Sequence, residues 1–168
     1  MSIIKKFITI IFLTIFTNQV DAEEVKKMGT HKDWETYVIN SNADKVCFTQ
    51  SKPVLQAPKK NKREARLFIT FRPGEKITNE ISITAGYEFN SKNSITATSG
   101  KNKYKFDLAQ EGFAWMTDTK LEIKMIKVMK KGSRIMVTGY NQKGSQTIDH
   151  YSLLGFTKAY NATKANCS

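Results

Sequence analysis

The sequence predicts a mainly β protein: an antiparallel β-sandwich or partly closed barrel with one amphipathic helix and a short C-terminal helix. Three observations carry this. Short runs of β-forming residues recur along the chain, each bounded by turn residues. In one run Ile81, Ile83, Ala85, Tyr87 and Phe89 alternate with Ser82, Thr84, Gly86 and Glu88, giving one apolar and one mostly polar face. Only one stretch, residues 118–131, has a convincing helical period.

After a short polar lead, residues 34–39 read as the first strand, and the Asn, Ser and Asp of 40–44 as a turn. Residues 46–50 form the second strand, stopped by Pro53. Residues 56–66 are a basic connection with Lys59, Lys60, Lys62, Arg63 and Arg66, read first as solvated and second as part of a cationic surface. Leu67, Phe68, Ile69, Thr70 and Phe71 make the strongest local strand signal, halted at Pro73-Gly74. Residues 95–98 form a short strand, and Tyr104, Phe106 and Leu108 repeat the alternation before Phe113-Ala114-Trp115 leads into the helix. By alternation Tyr37, Phe48, Phe68, Phe71, Tyr87, Phe106 and Trp115 are expected in the core, with Trp34 or Tyr151 the alternatives for a sugar-binding surface.

Thr119 and Glu122 have the spacing of a capping box, and Lys130-Lys131-Gly132 ends the helix with cations on its negative pole and a glycine expected at positive φ. At 100° per residue Leu121, Met125, Ile126, Val128 and Met129 share one side. Lys120, Lys124, Lys127 and Lys131 form a narrow stripe on the other, the candidate surface for an anionic partner. Strands at 134–140 and 147–152 follow, joined by a Gly-containing hairpin. Ser152 is then placed to cap a short helix carrying Leu154, Phe156 and Tyr160, with Leu154 and Phe156 docking on the core and Gly155 allowing close backbone approach.

The run Lys130-Lys131-Gly132, Val137-Thr138-Gly139, Gly144-Ser145, Thr147-Ile148-Asp149 and Tyr151-Ser152-Leu153-Leu154-Gly155-Phe156-Thr157-Lys158-Ala159 resembles the C-terminal signature of the invasion-associated locus B family. Asp33-Trp34, Cys47-Phe48 with Ser51-Lys52-Pro53, and Ala114-Trp115 fit the same pattern, so the likeness covers nearly the whole chain after the leader. The resemblance implies an exported protein of a Gram-negative bacterium, associated in pathogenic relatives with host-cell invasion. Some members carry an extra mid-chain cysteine pair, which this sequence lacks.

Residues 1–22 read as a signal peptide: Lys5-Lys6, an apolar stretch, and Val20-Asp21-Ala22 as the cleavage site. The apolar run is about half the roughly 20 residues a spanning helix needs. Residues 23–168 are then one β-rich domain in the periplasm or outside the cell. Cys47 and Cys167 are an even pair in a chain bound for an oxidising compartment, which predicts a disulfide, with two free thiols as the alternative. Loss of Lys5, Lys6 and Asp21 with the leader takes the formal charge from +12 to +11. Outside the cytoplasm that charge points to an anionic envelope component or protein partner, with peripheral membrane contact allowed, and away from nucleic acid.

No catalytic, cofactor-binding or metal-binding residues are assigned. Phosphate-loop and dinucleotide motifs are missing from the sequence, and two distant cysteines with two histidines make a poor metal set. Asp149 and His150 lie near Ser145 and Ser152, but neighbours on one strand point to opposite faces. The expected function is therefore a non-enzymatic envelope protein that binds an anionic surface or partner. A periplasmic hydrolase on a β scaffold using His150 is the alternative.

Overall fold

The computed structural model describes residues 24–40, 44–60 and 62–168. The expected leader and residues 41–43 of the expected turn lie outside them. In chain order the strands are β1 (Glu24–His31), β2 (Trp34–Asn40), β3 (Lys45–Ser51), β4 (Leu55–Ala57), β5 (Arg66–Arg72) and β6 (Ile77–Thr84). Then come β7 (Ile95–Ser99), β8 (Asn102–Phe106), β9 (Leu108–Gln110) and β10 (Phe113–Trp115). Helix α1 (Thr119–Lys131), the hairpin β11 (Arg134–Tyr140) and β12 (Gln146–Ser152), and helix α2 (Phe156–Asn166) complete the chain.

The strands form two open antiparallel sheets, as a sandwich requires. One has seven strands in the order β1-β2-β3-β5-β6-β10-β9, the other five in the order β4-β12-β11-β7-β8. One buried cluster joins them, with Leu67, Ile69, Ile81 and Ile83 from the larger sheet and Ala97, Ile135 and Val137 from the smaller. The strand period of two puts these side chains on the inner faces.

Helix α2 packs on β2 and β3 of the larger sheet. Phe156 meets Trp34 with ring centroids 4.8 Å apart, and Tyr160 meets Phe71 at 5.6 Å. Tyr160 also donates its hydroxyl to Asn79 Oδ1 at 2.5 Å. At the far end of the helix Cys167 is joined to Cys47 of β3 in the expected disulfide, across a sequence separation of 120. Closing a loop that long contributes about 5 kcal/mol in the chain-entropy account.

Several sequence expectations give way to local geometry. The polar lead is a strand, since β1 pairs with the whole of β2; its pattern is illegible because it is an edge with few buried positions. The alternation at 81–89 is not one strand. β6 ends at Thr84, Gly86 takes φ 75°, and the chain crosses to the smaller sheet, where Phe89 bridges Asn141. A side chain at Gly86 would strike the Glu64 backbone, so both conformation and space require glycine there. Tyr104, Phe106 and Leu108 also divide: β8 belongs to the smaller sheet and β9 to the larger, and Leu108 is 48% exposed. Asp107 is the hinge between them, its N–H donating to the Trp115 carbonyl at 2.9 Å. Part of the basic connection forms β4, paired to β12.

The helix ends differ too. Asp118, not Thr119, caps α1, its carboxylate accepting from the N–H groups of Lys120 and Leu121. Gly132 is extended at φ −87° rather than left-handed; its smallness serves packing, since Leu153, Val128 and Ser99 crowd the space a side chain would need. Helix α2 is capped by Gly155 at φ 89° instead of Ser152, whose hydroxyl accepts from the Leu154 N–H one turn earlier. A Cβ on Gly155 would collide with the His31 carbonyl, so the close approach is real. Phe156 is fully buried as expected, but Leu154 is 61% exposed and Leu153 takes the inward position.

Candidate functional site

Helix α1 packs against β6, β8 and α2. Met125, Ile126 and Met129 are buried, and Leu121 and Val128 are packed against the same cluster. That fixes the rotation of the helix and turns Lys120, Lys124, Lys127 and Lys131 outward, all exposed. Among the described residues none of the four joins an ion pair. A few cations elsewhere are paired, Lys27 with Glu35, Arg66 with Glu64, Arg72 with Glu75 and Glu80, and Lys105 with Asp107, while most of the other described lysines join no ion pair either. Like charges at helical spacing repel by a few tenths of a kcal/mol per pair, so the stripe is left uncompensated.

At the C-terminal end of α1 the stripe enters an open cleft of about 760 Å³. Lys127 and Lys131 line one side and Arg134 of β11 another, with Ser99, Asn102 and Ser133 as neutral donors. Ser99 also donates to the Arg134 carbonyl at 2.9 Å, which ties the β7–β8 turn to the start of β11. The fifth lysine of the helix behaves differently. Lys130 lies over the Tyr160 ring at 3.9 Å, and burial, helped by neighbouring Lys164, lowers its pKa from the usual lysine value.

The buried side of α1 carries a residue whose role the sequence misassigned. Glu122 is 5% exposed and accepts from the Ile81 N–H of β6 at 2.8 Å. It spans helix to sheet instead of closing a capping box. Burial pushes its pKa up to about 7, and the nearby carboxylates of Glu80 and Asp118 push the same way against the Ile81 hydrogen bond. The sequence signal was available: Glu122 is four residues before Ile126 and so lies on the apolar side.

The basic connection does not act as one surface. Lys59, Lys60 and Lys62 are exposed, but Arg63 is withdrawn into a bidentate pair with Asp149, at 2.6 and 2.9 Å. Its guanidinium also donates to the Ala85 carbonyl at 3.0 Å, and Gln56 bonds both the Arg63 backbone and Asp149. Arg63 is therefore a strut between the two sheets, in place of an extension of the lysine stripe. A second cleft, of about 390 Å³, remains beside it with Lys52, Lys59, Lys62 and Arg66 on its rim.

Asp149 and His150 point to opposite faces of β12, as their adjacency requires. The Asp149 carboxylate is buried and taken by Arg63, and the Ser152 hydroxyl is used at the turn into α2. The Ser/His/Asp arrangement is not assembled.

The aromatic expectations hold in part. Trp34 and Tyr151 are fully buried, Trp34 donating Nε1–H to the Ser152 carbonyl at 2.9 Å, so neither lines a sugar-binding surface. Phe71 and Phe106 are core, whereas Tyr37, Phe48, Phe68 and Trp115 are only half-buried and stand on the outer face of the larger sheet.

These features define a protein class: a two-sheet antiparallel sandwich, with a C-terminal helix bolted to the larger sheet and a lysine-striped helix beside it. The family profile described as "Invasion associated locus B (IalB) protein" matches residues 34–164, and the chain belongs to that family. Among solved structures it is similar to the crystal structure of invasion associated protein B from Bartonella henselae. The identity is 14%, the TM-score 0.57, and the match covers 82% of this chain and 96% of that one. No curated protein matches the chain.

Proposed function

We propose that this chain is an exported, non-catalytic binding protein of the bacterial envelope. It engages an anionic surface through Lys120, Lys124, Lys127 and Lys131 of α1, with the Arg134 cleft as the deepest point of contact. The observation that carries the reading is the alignment of the charges: four exposed lysines without an ion pair among the described residues share one face of a rigidly docked helix, and that face opens on a cleft that Arg134 also lines. The Cys47–Cys167 bridge supports an oxidising compartment, the periplasm or the exterior. There the available polyanions are phospholipid headgroups, lipopolysaccharide and acidic proteins.

The test is retention on anionic vesicles and on lipopolysaccharide. Replacing Lys120, Lys124 and Lys127 by Glu is expected to abolish retention while leaving the thermal midpoint within a few degrees, because all three side chains are exposed. Binding by the parent should weaken steeply with salt, since exposed charges are screened beyond about 8 Å at physiological ionic strength. Retention unchanged in the triple variant would return the stripe to an ordinary solvated face.

A further inference from the structure

The outer face of the seven-stranded sheet carries a continuous aromatic row. Tyr37 of β2, Phe48 of β3, Phe68 of β5, and Phe113 and Trp115 of β10 follow one another at centroid distances of 5.1, 6.1, 6.1 and 5.8 Å. Strand register puts them on one side: Tyr37 opposes Phe48, Phe68 and Trp115 both oppose Ser82, and Trp115 opposes Leu108. The sandwich core and α2 lie on the other side of this sheet. Phe113 is 37% exposed and Leu108 48%, and the remaining rings are half-buried only by one another and by their strands.

Three cations border the row, and each is neutralised in place. Lys27 meets Glu35 at 2.5 Å, Arg66 meets Glu64 at 2.7 Å, and Arg72 meets Glu80 at 2.6 Å. Tyr37 adds its hydroxyl to Glu35 at 2.9 Å. A chain of formal charge +12 thus presents one broad face that is apolar at its centre and charge-balanced at its rim. An aromatic centre ringed by a polar, charge-balanced rim describes a protein–protein interface.

We propose that a second copy of this chain docks on this face, making a two-fold symmetric dimer through the two large sheets. Two arguments select that occupant. Copies this cationic repel, and the charge-balanced face is where they meet at least electrostatic cost. Seven strands about 4.8 Å apart, averaging about 20 Å in length although β9 and β10 are only three residues each, present roughly 700 Å² of face before pleating. That is close to the ~800 Å² per partner of a standard specific interface. A polyanion is drawn instead to α1. A glycan needs free, coplanar ring faces, but Tyr37 and Phe48 stack on each other at 12° and the next two contacts tilt at 61° and 44°.

Sedimentation velocity on the purified protein, from roughly 1 to 100 µM, tests this, the upper limit lying well above a micromolar dissociation constant. A dimer is expected, with its fraction rising with salt as repulsion between copies is screened. Anion binding by α1 runs the opposite way with salt, so the two ideas fail separately. Phe68→Thr with Phe113→Thr should weaken the dimer at least tenfold, while Lys120→Glu leaves it intact. Trp115 supplies a readout without mutation: its emission should shift to the blue with concentration, while that of the buried Trp34 stays fixed. A protein that is monomeric throughout, a dimer indifferent to the double variant at unchanged near-ultraviolet circular dichroism, or Trp emission independent of concentration would each overturn the proposal.

Discussion

Glu122→Gln is expected to flatten the pH dependence of stability. The carboxyl group lies between α1 and the larger sheet, with Oε1 receiving the Ile81 N–H, and burial lifts its pKa from 4.5 to about 7. Between those values the folded protein keeps a proton that the unfolded chain has released. Stability supplied by the protonated form is therefore complete below about pH 4.5, declines as pH rises, and is lost above about pH 7. Every tenfold change in proton affinity between the folded and unfolded chain is worth about 1.4 kcal/mol, so the whole change is about 3 kcal/mol. Glutamine keeps the amide oxygen for Ile81 and cannot ionise. Between pH 5 and pH 8 the parent should lose about 2–3 kcal/mol more than the variant, as an order of magnitude. Urea unfolding followed by tryptophan fluorescence at the two pH values measures this at constant ionic strength. Other titrating groups cancel in the difference between the two proteins. Parallel pH slopes, or a parent that loses less than the variant, would show that Glu122 is solvated or is stabilised as a carboxylate.

Further substitutions separate the closing segment and the inter-sheet strut. Phe156→Ala should cost about 3–5 kcal/mol, because the ring is fully buried against Trp34, whereas Leu154→Ala should stay within about 0.5 kcal/mol at its exposed position; equal losses in chemical denaturation would refute the assignment of Leu154 to the surface. Arg63→Met should cost about 3–5 kcal/mol by leaving the Asp149 carboxylate buried without its cation. Adding Asp149→Asn to it should recover part of that loss, and a double variant no better than the single would place the cost in packing instead.

How far the sequence could be read depended on whether a residue's neighbours along the chain determine its environment. Strand period two found β2, β3, β5, β11 and β12, and helical period found α1 with its buried and lysine faces. It could not see that 81–89 and 104–108 each change sheets, because the alternation of side chains continues through Gly86 and Asp107 while the strand partners change. The aromatic row was within reach. Trp34 and Tyr37 have opposite parity in one strand, as do the adjacent Cys47 and Phe48, so a buried disulfide turns Phe48 outward. The Arg63–Asp149 pair was not, since 86 residues separate its members and only the packing of two sheets unites them. The candidate anion surface was legible as four lysines on one helix; Arg134 in its cleft was not, being on the next element.

The disulfide gives the molecule a defined mechanical path. Tension applied between the start of β1 and a point beyond Cys167 runs through β1, β2 and the first residues of β3 to Cys47, then crosses the sulfur–sulfur bond directly. Everything enclosed between Cys47 and Cys167 is short-circuited, including both helices and the whole five-stranded sheet, and carries no load along the chain. Only the first two strands and the beginning of the third can be peeled away. An oxidised molecule tethered at both ends would therefore stretch by a short, fixed length and keep its lysine-bearing helix in place, whereas the reduced chain would unravel from either end.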